Sequence, residues 1–313
     1  MSLSSASATS AAGTVIARRE DVIDGPAAIL AELLTDVALW PQFIPSVVHT
    51  ERDADGRLTV WSLAGDERVR QWRVRSTVTV GNDVTEAEPV TEPGAISVEW
   101  RISSLAEERT RVEMRIVRAD PIDGDVDPTE AEQGLTVIFD SLSEATRARA
   151  ELPRLVLSFE DPLFVAGRPE DAYQMLYEAD KWPERIAHVS RLEMVEPEPG
   201  IQFFDMETTT PDGRSHTTRS VRVCLPYRLI VYKQIKLPVL LDAHTGHWRF
   251  SPTEEGLIVA ARHTVTIKPS ALEVLGPGTT VADARRYLRR VLSANSMKNL
   301  FLAKTYAEER AGV

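Results

Sequence analysis

The chain has one cysteine, Cys224, among 313 residues. A single thiol builds neither a disulfide framework nor a cysteine-based zinc site. No apolar run reaches the roughly 20 residues of a transmembrane helix. Residues 1–13 are rich in Ser, Ala and Thr. They lack the basic start and apolar core of a signal peptide and read as a flexible tail. Positive charge is in the minority: 36 Lys and Arg stand against 47 Asp and Glu, for a formal net charge of −11. That balance argues against a nucleic-acid partner. A glycine-rich phosphate loop is missing, as is a GxSxG nucleophile elbow. The expectation is a cytoplasmic protein without a cofactor, a metal or a membrane partner. Its 43% hydrophobic share supports packed cores, and its length accommodates two domains.

What the sequence does contain is a duplication. Gly25, Trp40-Pro41 and Ile44 recur as Gly167, Trp182-Pro183 and Ile186, all displaced by 142 residues. A short helix at apolar helical spacing lies between glycine and tryptophan in each copy. Pro169 suits a first helical turn. Pro183 disfavours helix at Trp182, so the helix is expected to stop there.

Alternation predicts strands over 15–21, 47–52, 58–64, 69–80, 95–103 and around Val112–Ile116. Asp55-Gly56 marks a hairpin turn. An acidic loop is expected over 121–128 and a helix over 130–150, ended by Leu152-Pro153. The second half repeats the order. Strands are predicted over 154–159, 188–195, 201–209, 215–225, 229–235, 244–250 and 257–267, with Asp212-Gly213 as a turn. A loop over 269–279 and a long helix over 280–310 close the chain. The fold class is therefore α+β: two tandem units over 14–151 and 152–313, each a curved antiparallel sheet around a long C-terminal helix with an internal pocket.

The paired Trp-Pro elements, Ser220-Val221-Arg222 after Asp212-Gly213-Arg214, the strand tryptophans Trp100 and Trp248, and His263 in the penultimate element form an ordered set. In this order the chain resembles the two-domain aromatase/cyclases of bacterial type II polyketide synthases, whose halves are helix-grip (START-like) folds. The resemblance spans nearly everything after Gly13. It implies first-ring cyclisation and aromatisation of a poly-β-ketone held on an acyl carrier protein. Two-domain members serve ketoreduced chains and close the ring between C7 and C12. The implied partners are the acyl carrier protein, ketosynthase and ketoreductase.

Several residues are candidates for the site. His216, Thr218, Ser220, Arg222 and Cys224 share one strand face. Periodicity alone buries the opposite valine face and leaves Arg222 solvated; the resemblance reverses this and turns Ser220 and Arg222 inward as catalytic residues. Arg222 would then face an enolate as a fixed counter-charge, and its loss would leave the fold intact. His263 alternates with Val259, Ala261, Val265 and Ile267, so it points inward. It is either a core histidine or a general acid/base. On the terminal helix, Asn295 and Asn299 interrupt an apolar seam, as strand-edge caps or as ligands of a polyketide carbonyl. Trp182 and Trp248 are expected as substrate-binding walls.

The first half offers Trp40, Arg75 and Trp100 as binding residues. Ile116 aligns with His263, so this half reads as structural or as a second binding chamber. His244 and His247 face opposite ways, leaving His244, His263 and His216 as a remote metal option. Arg285, Arg286, Arg289 and Arg290 form either a solvated helix face or a docking spot for an acidic carrier protein. The leading activity is intramolecular aldol closure followed by dehydration. The rival is a non-catalytic hydrophobic-ligand carrier on the same fold, which would not need Arg222 or His263.

Overall fold

A computed structural model describes residues 14–81, 83–84, 96–118, 128–187, 189–209 and 215–312. The expected tail, the loop over 121–127, the turn at Asp212-Gly213 and the side chain of His216 lie outside the described residues.

The first half opens with β1 (Thr14–Asp24), α1 (Ala27–Thr35), a 3-10 turn (Val37–Leu39) and α2 (Trp40–Phe43). Strands β2 (Val47–Arg52), β3 (Leu58–Leu63), β4 (Val69–Val80), β5 (Asp83–Val84), β6 (Ile96–Ala106) and β7 (Arg109–Arg118) follow, then the long helix α3 (Pro128–Ala148). The second half starts with α4 (Leu152–Leu155), β8 (Val156–Val165), α5 (Pro169–Tyr177), a 3-10 turn (Ala179–Lys181) and α6 (Trp182–Arg185). It continues through β9 (Val189–Glu198), β10 (Ile201–Thr209), β11 (Ser215–Leu225), β12 (Leu229–Lys236), β13 (Leu241–Thr253) and β14 (Gly256–Ile267). A 3-10 segment (Pro269–Leu275) leads to α7 (Val281–Ala311).

The 142-residue displacement carries into backbone geometry. Helix α5 starts and ends 142 residues after α1, α6 after α2, and β9 begins 142 residues after β2. The amide of Ile44 donates to Trp40 O at 2.8 Å, and that of Ile186 to Trp182 O at 2.7 Å. The expectation that the helix stops at Trp182 is corrected here. Trp182 has φ −62° and ψ −36° and starts a new helical turn. Pro183 sits in that first turn, where its missing N–H costs nothing. Arg154, expected to open a strand ending at Phe159, lies instead in the helical turn that starts at Leu152-Pro153, and the strand β8 runs from Val156 to Val165.

The second sheet is antiparallel throughout, in the order β8-β14-β13-β12-β11-β10-β9. Helix α7 packs on it through Leu300, Ala303 and Ala307, which meet Trp182, Trp248 and α5 residues in one apolar core. A second cluster at the other end joins Ala284 and Leu288 to Leu240, Val265 and Ile267. Thr280 caps α7 by accepting from the Asp283 amide, and Asp283 returns the bond to the Thr280 N–H.

The first sheet runs β1-β7-β6-β4-β3-β2, with β5 paired to β4. It departs from the second at one junction: β4 and β6 pair directly and in parallel. In the second sheet β12 lies between the corresponding strands.

By packing, the chain divides into two compact units: residues 1–38, 50–60 and 71–147, and residues 39–49, 61–70 and 148–313. The second unit therefore includes two short segments from the first half. Val48, Trp61 and Val69 from these segments bury the valine face of β11, meeting Val221 and Val223. This is why periodicity misled: β11 is buried on both faces, with Val221 and Arg222 both at 0% exposure.

Candidate active site

One line of cross-strand neighbours crosses six strands of the second sheet: Gln202, Arg222, Tyr232, Gly246, His263 and Phe159. Side chains that are direct neighbours across strands point to the same face. The adjacent line carries Phe204, Ser220 and Gln234. Arg222, Ser220 and His263 thus share the interior face, the first two in the direction the resemblance implied and His263 in the direction its alternation predicted.

The Arg222 guanidinium is anchored on every side. Its Nη1 donates to Leu176 O at 2.9 Å and its Nη2 to Tyr177 O at 2.6 Å, closing the C-terminal end of α5. Its Nε donates to Gln202 Oε1 at 3.0 Å, and Nη2 reaches the same oxygen. The planar group lies over Trp182 at 5.3 Å and Phe204 at 5.5 Å. Gln202 passes its own Nε2–H to Glu196 at 3.0 Å, so the nearest carboxylate acts through an amide. Four of the five donors are engaged. The expectation that Arg222 contributes little to the core is corrected: it holds the buried Gln202 Oε1 and Leu176 O and, through Leu176 O and Tyr177 O, the end of α5.

His263 forms the second pole. Its Nδ1 is 2.7 Å from Tyr232 Oη and 3.2 Å from His244 Nε2, and His244 Nδ1 is 3.0 Å from Gln234 Oε1. Burial lowers the His263 pKa to about 4, against an opposing pull from Asp161. Burial and the neighbouring His263 hold His244 well below the usual histidine range. Both are neutral at pH 7. Gly246 makes the cluster possible, because a Cβ there would lie 2.3 Å from Tyr232 Oη. Among the described residues no group of three His, Cys, Asp or Glu side chains is placed to hold a metal ion.

The interior also holds buried polar atoms with no hydrogen-bond partner: His263 Nε2, Thr218 Oγ1, Trp182 Nε1, Trp248 Nε1 and, on α7, Asn299 Oδ1. Trp182 and Trp248 meet edge to face at 6.0 Å, and Trp248 lies 5.2 Å from Tyr232. Ser220 is buried, whereas Asn295 and Asn299 are half-buried. The fully buried stripe of α7 runs instead through Ala284, Leu288, Ser296 and Leu300.

The arginines of α7 are mostly engaged rather than forming a free basic patch. Arg285 donates to the carbonyls of Arg154 and Val156. Arg289 grips Asp161 with both Nη groups at 2.8 and 2.7 Å and covers Phe159 at 4.2 Å. Phe159 in turn lies 5.3 Å from the His263 ring.

In the first unit, Trp100 is buried beside Phe139 of α3 at 6.2 Å. The register of β4 on β6 puts Val74, Ser76 and Val78 on the side of Trp100. Arg75 therefore falls on the opposite face, half-buried, and does not stand where Arg222 stands. Val98 pairs with Ile116 as Gly246 pairs with His263, so the register sets the aligned Ile116 in the place of His263. Trp40 packs within the second unit and is buried there.

Four participants escaped sequence reasoning. Tyr232 and Lys233 lie in a strand whose first five residues are all buried, where no alternation marks a polar role. Gln202 and Gln234 carry no spacing signal, and only their strand register reveals them. Lys233 is buried on the outer face, where Nζ donates to Pro41 O, Ile44 O and Val47 O at 2.9, 2.9 and 2.7 Å. Desolvation pulls its pKa down to about 7.

The fold and this interior define a tandem helix-grip protein that encloses a buried cation and a neutral histidine within one apolar shell. No family model matches the chain. It is 36% identical over 296 residues to the actinorhodin polyketide synthase bifunctional cyclase/dehydratase of Streptomyces coelicolor, covering 88% of this chain and 91% of that one. It is 34% identical over 303 residues to the granaticin counterpart of Streptomyces virginiae, covering 88% and 95%. Among solved structures it is similar to the di-domain ARO/CYC StfQ from the steffimycin biosynthetic pathway, with TM-score 0.81 and 48% identity over 95% of this chain and 100% of that chain. BexL, from the BE-7585A pathway, has TM-score 0.74 and 30% identity over 93% and 98%. The chain belongs to the family of polyketide synthase bifunctional cyclase/dehydratases. It is an aromatase/cyclase, and the carrier reading is set aside.

Proposed function

We propose that the second unit closes the first ring, between C7 and C12, of a ketoreduced poly-β-ketone tethered to an acyl carrier protein. The unpartnered His263 Nε2, buried among other unpartnered polar atoms, carries this reading. Buried polar groups in proteins are otherwise paired, so these atoms suit the carbonyls and hydroxyls of a folded polyketide. A methylene flanked by two carbonyls loses a proton to His263. Its carbanion attacks the ketone carbon, forming the new C–C bond, and the resulting alkoxide takes up a proton. Loss of a further ring proton and of hydroxide, together one water, completes the dehydration.

Arg222 supplies fixed positive charge to the developing enolate, with Ser220 beside it as a hydroxyl donor. Trp182 and Trp248 wall the chain, and Asn295 and Asn299 orient its carbonyls from α7. Orientation supplies much of the acceleration, because the competing rings form spontaneously in a free chain. Residues 14–151 and 152–313 are the two repeat domains. The first, through Trp100, is architectural, and its Trp40 packs with the second unit; Arg75 takes no part in its interior. The working partners are the carrier protein, ketosynthase and ketoreductase, in the cytoplasm. Among the described residues no helix is long and apolar enough to cross a membrane.

The test is reconstitution of a minimal polyketide synthase and a ketoreductase, with and without this protein. A product mixture shifting from shunt compounds to one C7–C12 cyclised aromatic supports the reading, and an unchanged mixture refutes it.

A further inference from the structure

The interior histidine is one end of a chain of polar groups, and donor counting fixes its proton. Gln234 Oε1 is an acceptor 3.0 Å from His244 Nδ1, so His244 carries its hydrogen there and presents Nε2 as a lone pair. That lone pair faces Tyr232 Oη at 3.3 Å and His263 Nδ1 at 3.2 Å. If His263 Nδ1 were bare, two lone pairs would compete for the single Tyr232 hydrogen, and a buried His263 Nε2–H would have no acceptor. With the hydrogen on Nδ1, it serves Tyr232 Oη at 2.7 Å, and the tyrosine hydrogen serves His244 Nε2. Every donor then has an acceptor.

We propose that Gln234, His244 and Tyr232 are positioning residues that lock His263 in the Nδ1–H tautomer, leaving Nε2 as the atom that exchanges protons with substrate. Gly246 is part of the device. A side chain there would occupy the space of the Tyr232 hydroxyl, at 2.3 Å, and press on Arg262 O at 2.2 Å. The network resembles a triad in logic: a histidine works through one nitrogen because groups behind it hold the other. This inference rests on the reading of His263 as the acid/base group.

The experiment is a nitrogen-15 histidine side-chain spectrum of the full chain, with Gln234→Leu and Gln234→Glu beside the wild type. The wild type is expected to show His263 protonated at Nδ1. Q234L frees His244 to move its hydrogen to Nε2, so His263 should shift toward the Nε2–H form. Cyclised product should fall at least about tenfold, as loss of tautomer control does elsewhere, with the thermal midpoint little changed. Q234E keeps an acceptor at that position and should retain both the tautomer and most activity.

A wild-type His263 protonated at Nε2 overturns the proposal, even if Q234L fails to fold. So does a His263 tautomer indifferent to Q234L. If the tautomer responds as expected but His263→Ala cyclises at the native rate, the relay stands and the acid/base reading fails.

Discussion

Arg222 and His263 stand on one line of the second sheet, separated only by Tyr232 and Gly246. Three strand spacings put their backbones about 14 Å apart. The gap between the charged pole and the neutral pole is bridged by an aromatic ring and a residue with no side chain. Substrate carbons held over Tyr232 and Trp248 would lie between a proton acceptor and a fixed cation.

Replacing Arg222 by Ala is expected to reduce both activity and stability. It strands Leu176 O, at a cost of about 1–3 kcal/mol, and leaves Gln202 Oε1 with only the Cys224 thiol at 3.8 Å, while Tyr177 O keeps the Gln202 Nε2–H at 3.4 Å. Loss of a preorganised charge adds a rate penalty of about 10²–10³-fold. Arg222→Lys should recover part of the stability, because one ammonium cannot span the two α5 carbonyls and the glutamine together. Thermal unfolding and the ratio of cyclised to shunt products check both effects. A variant as stable as the wild type would disprove the anchoring role.

Gly246→Ala should destabilise the second unit by about 1–3 kcal/mol, the usual range for an overpacked site. The added methyl meets the Arg262 carbonyl and the end of the Tyr232 ring. Denaturant midpoints measure the loss. Cyclisation should fall further than the midpoint alone accounts for, since Tyr232 must move off His263.

The two interior histidines predict acid lability. As pH falls, the unfolded chain takes up protons near 6.5, whereas folded His263 resists to about 4. Stability from the neutral ring is therefore complete above pH 6.5 and is lost toward pH 4, by about 3 kcal/mol for His263 alone. Urea midpoints taken between pH 7.5 and 4.5 should fall more steeply for the wild type than for His263→Gln. Parallel curves would contradict this.

Lys233 predicts the opposite limb. Its folded value of about 7 lies below that of a free lysine. Between pH 7 and 9 the unfolded chain holds the proton more tightly, so this group's contribution to stability rises with pH, by up to about 1.4 kcal/mol per pH unit. Lys233→Met takes the Nζ donor from three carbonyls, of which Ile44 O keeps the Val47 amide at 3.1 Å, and its deficit relative to the wild type should widen over that interval. A constant deficit in guanidinium titrations would show that the amine does not titrate in the folded state.

Much of this was legible in the sequence. Three markers at a constant displacement foretold helices that match residue for residue, and alternation around His263 foretold its inward face. Arg222 was not legible from alternation, because Val221 and Val223 are also buried, and what covers them is remote in sequence. Tyr232 was hidden in an unbroken buried run. Arg75 was misplaced because lining up Arg73-Val74-Arg75 with Ser220-Val221-Arg222 is one residue out of phase: the register of β4 on β6 puts Val74, Ser76 and Val78 on the Trp100 side, and nothing local records that register. Trp182 joined a helix despite Pro183, since a proline in a first turn obeys a different rule from one in a helix interior.

The segments 39–49 and 61–70 pack with the second unit, and this has a practical consequence for engineering. The piece that can be exchanged between such enzymes is not a contiguous stretch of gene. A graft cut at Leu152 would carry Val221 and Val223 without the residues that cover them, and Lys233 without the three carbonyls it binds. Chimeras intended to transfer one enzyme's ring-closing interior into another must transplant three separate pieces of chain together.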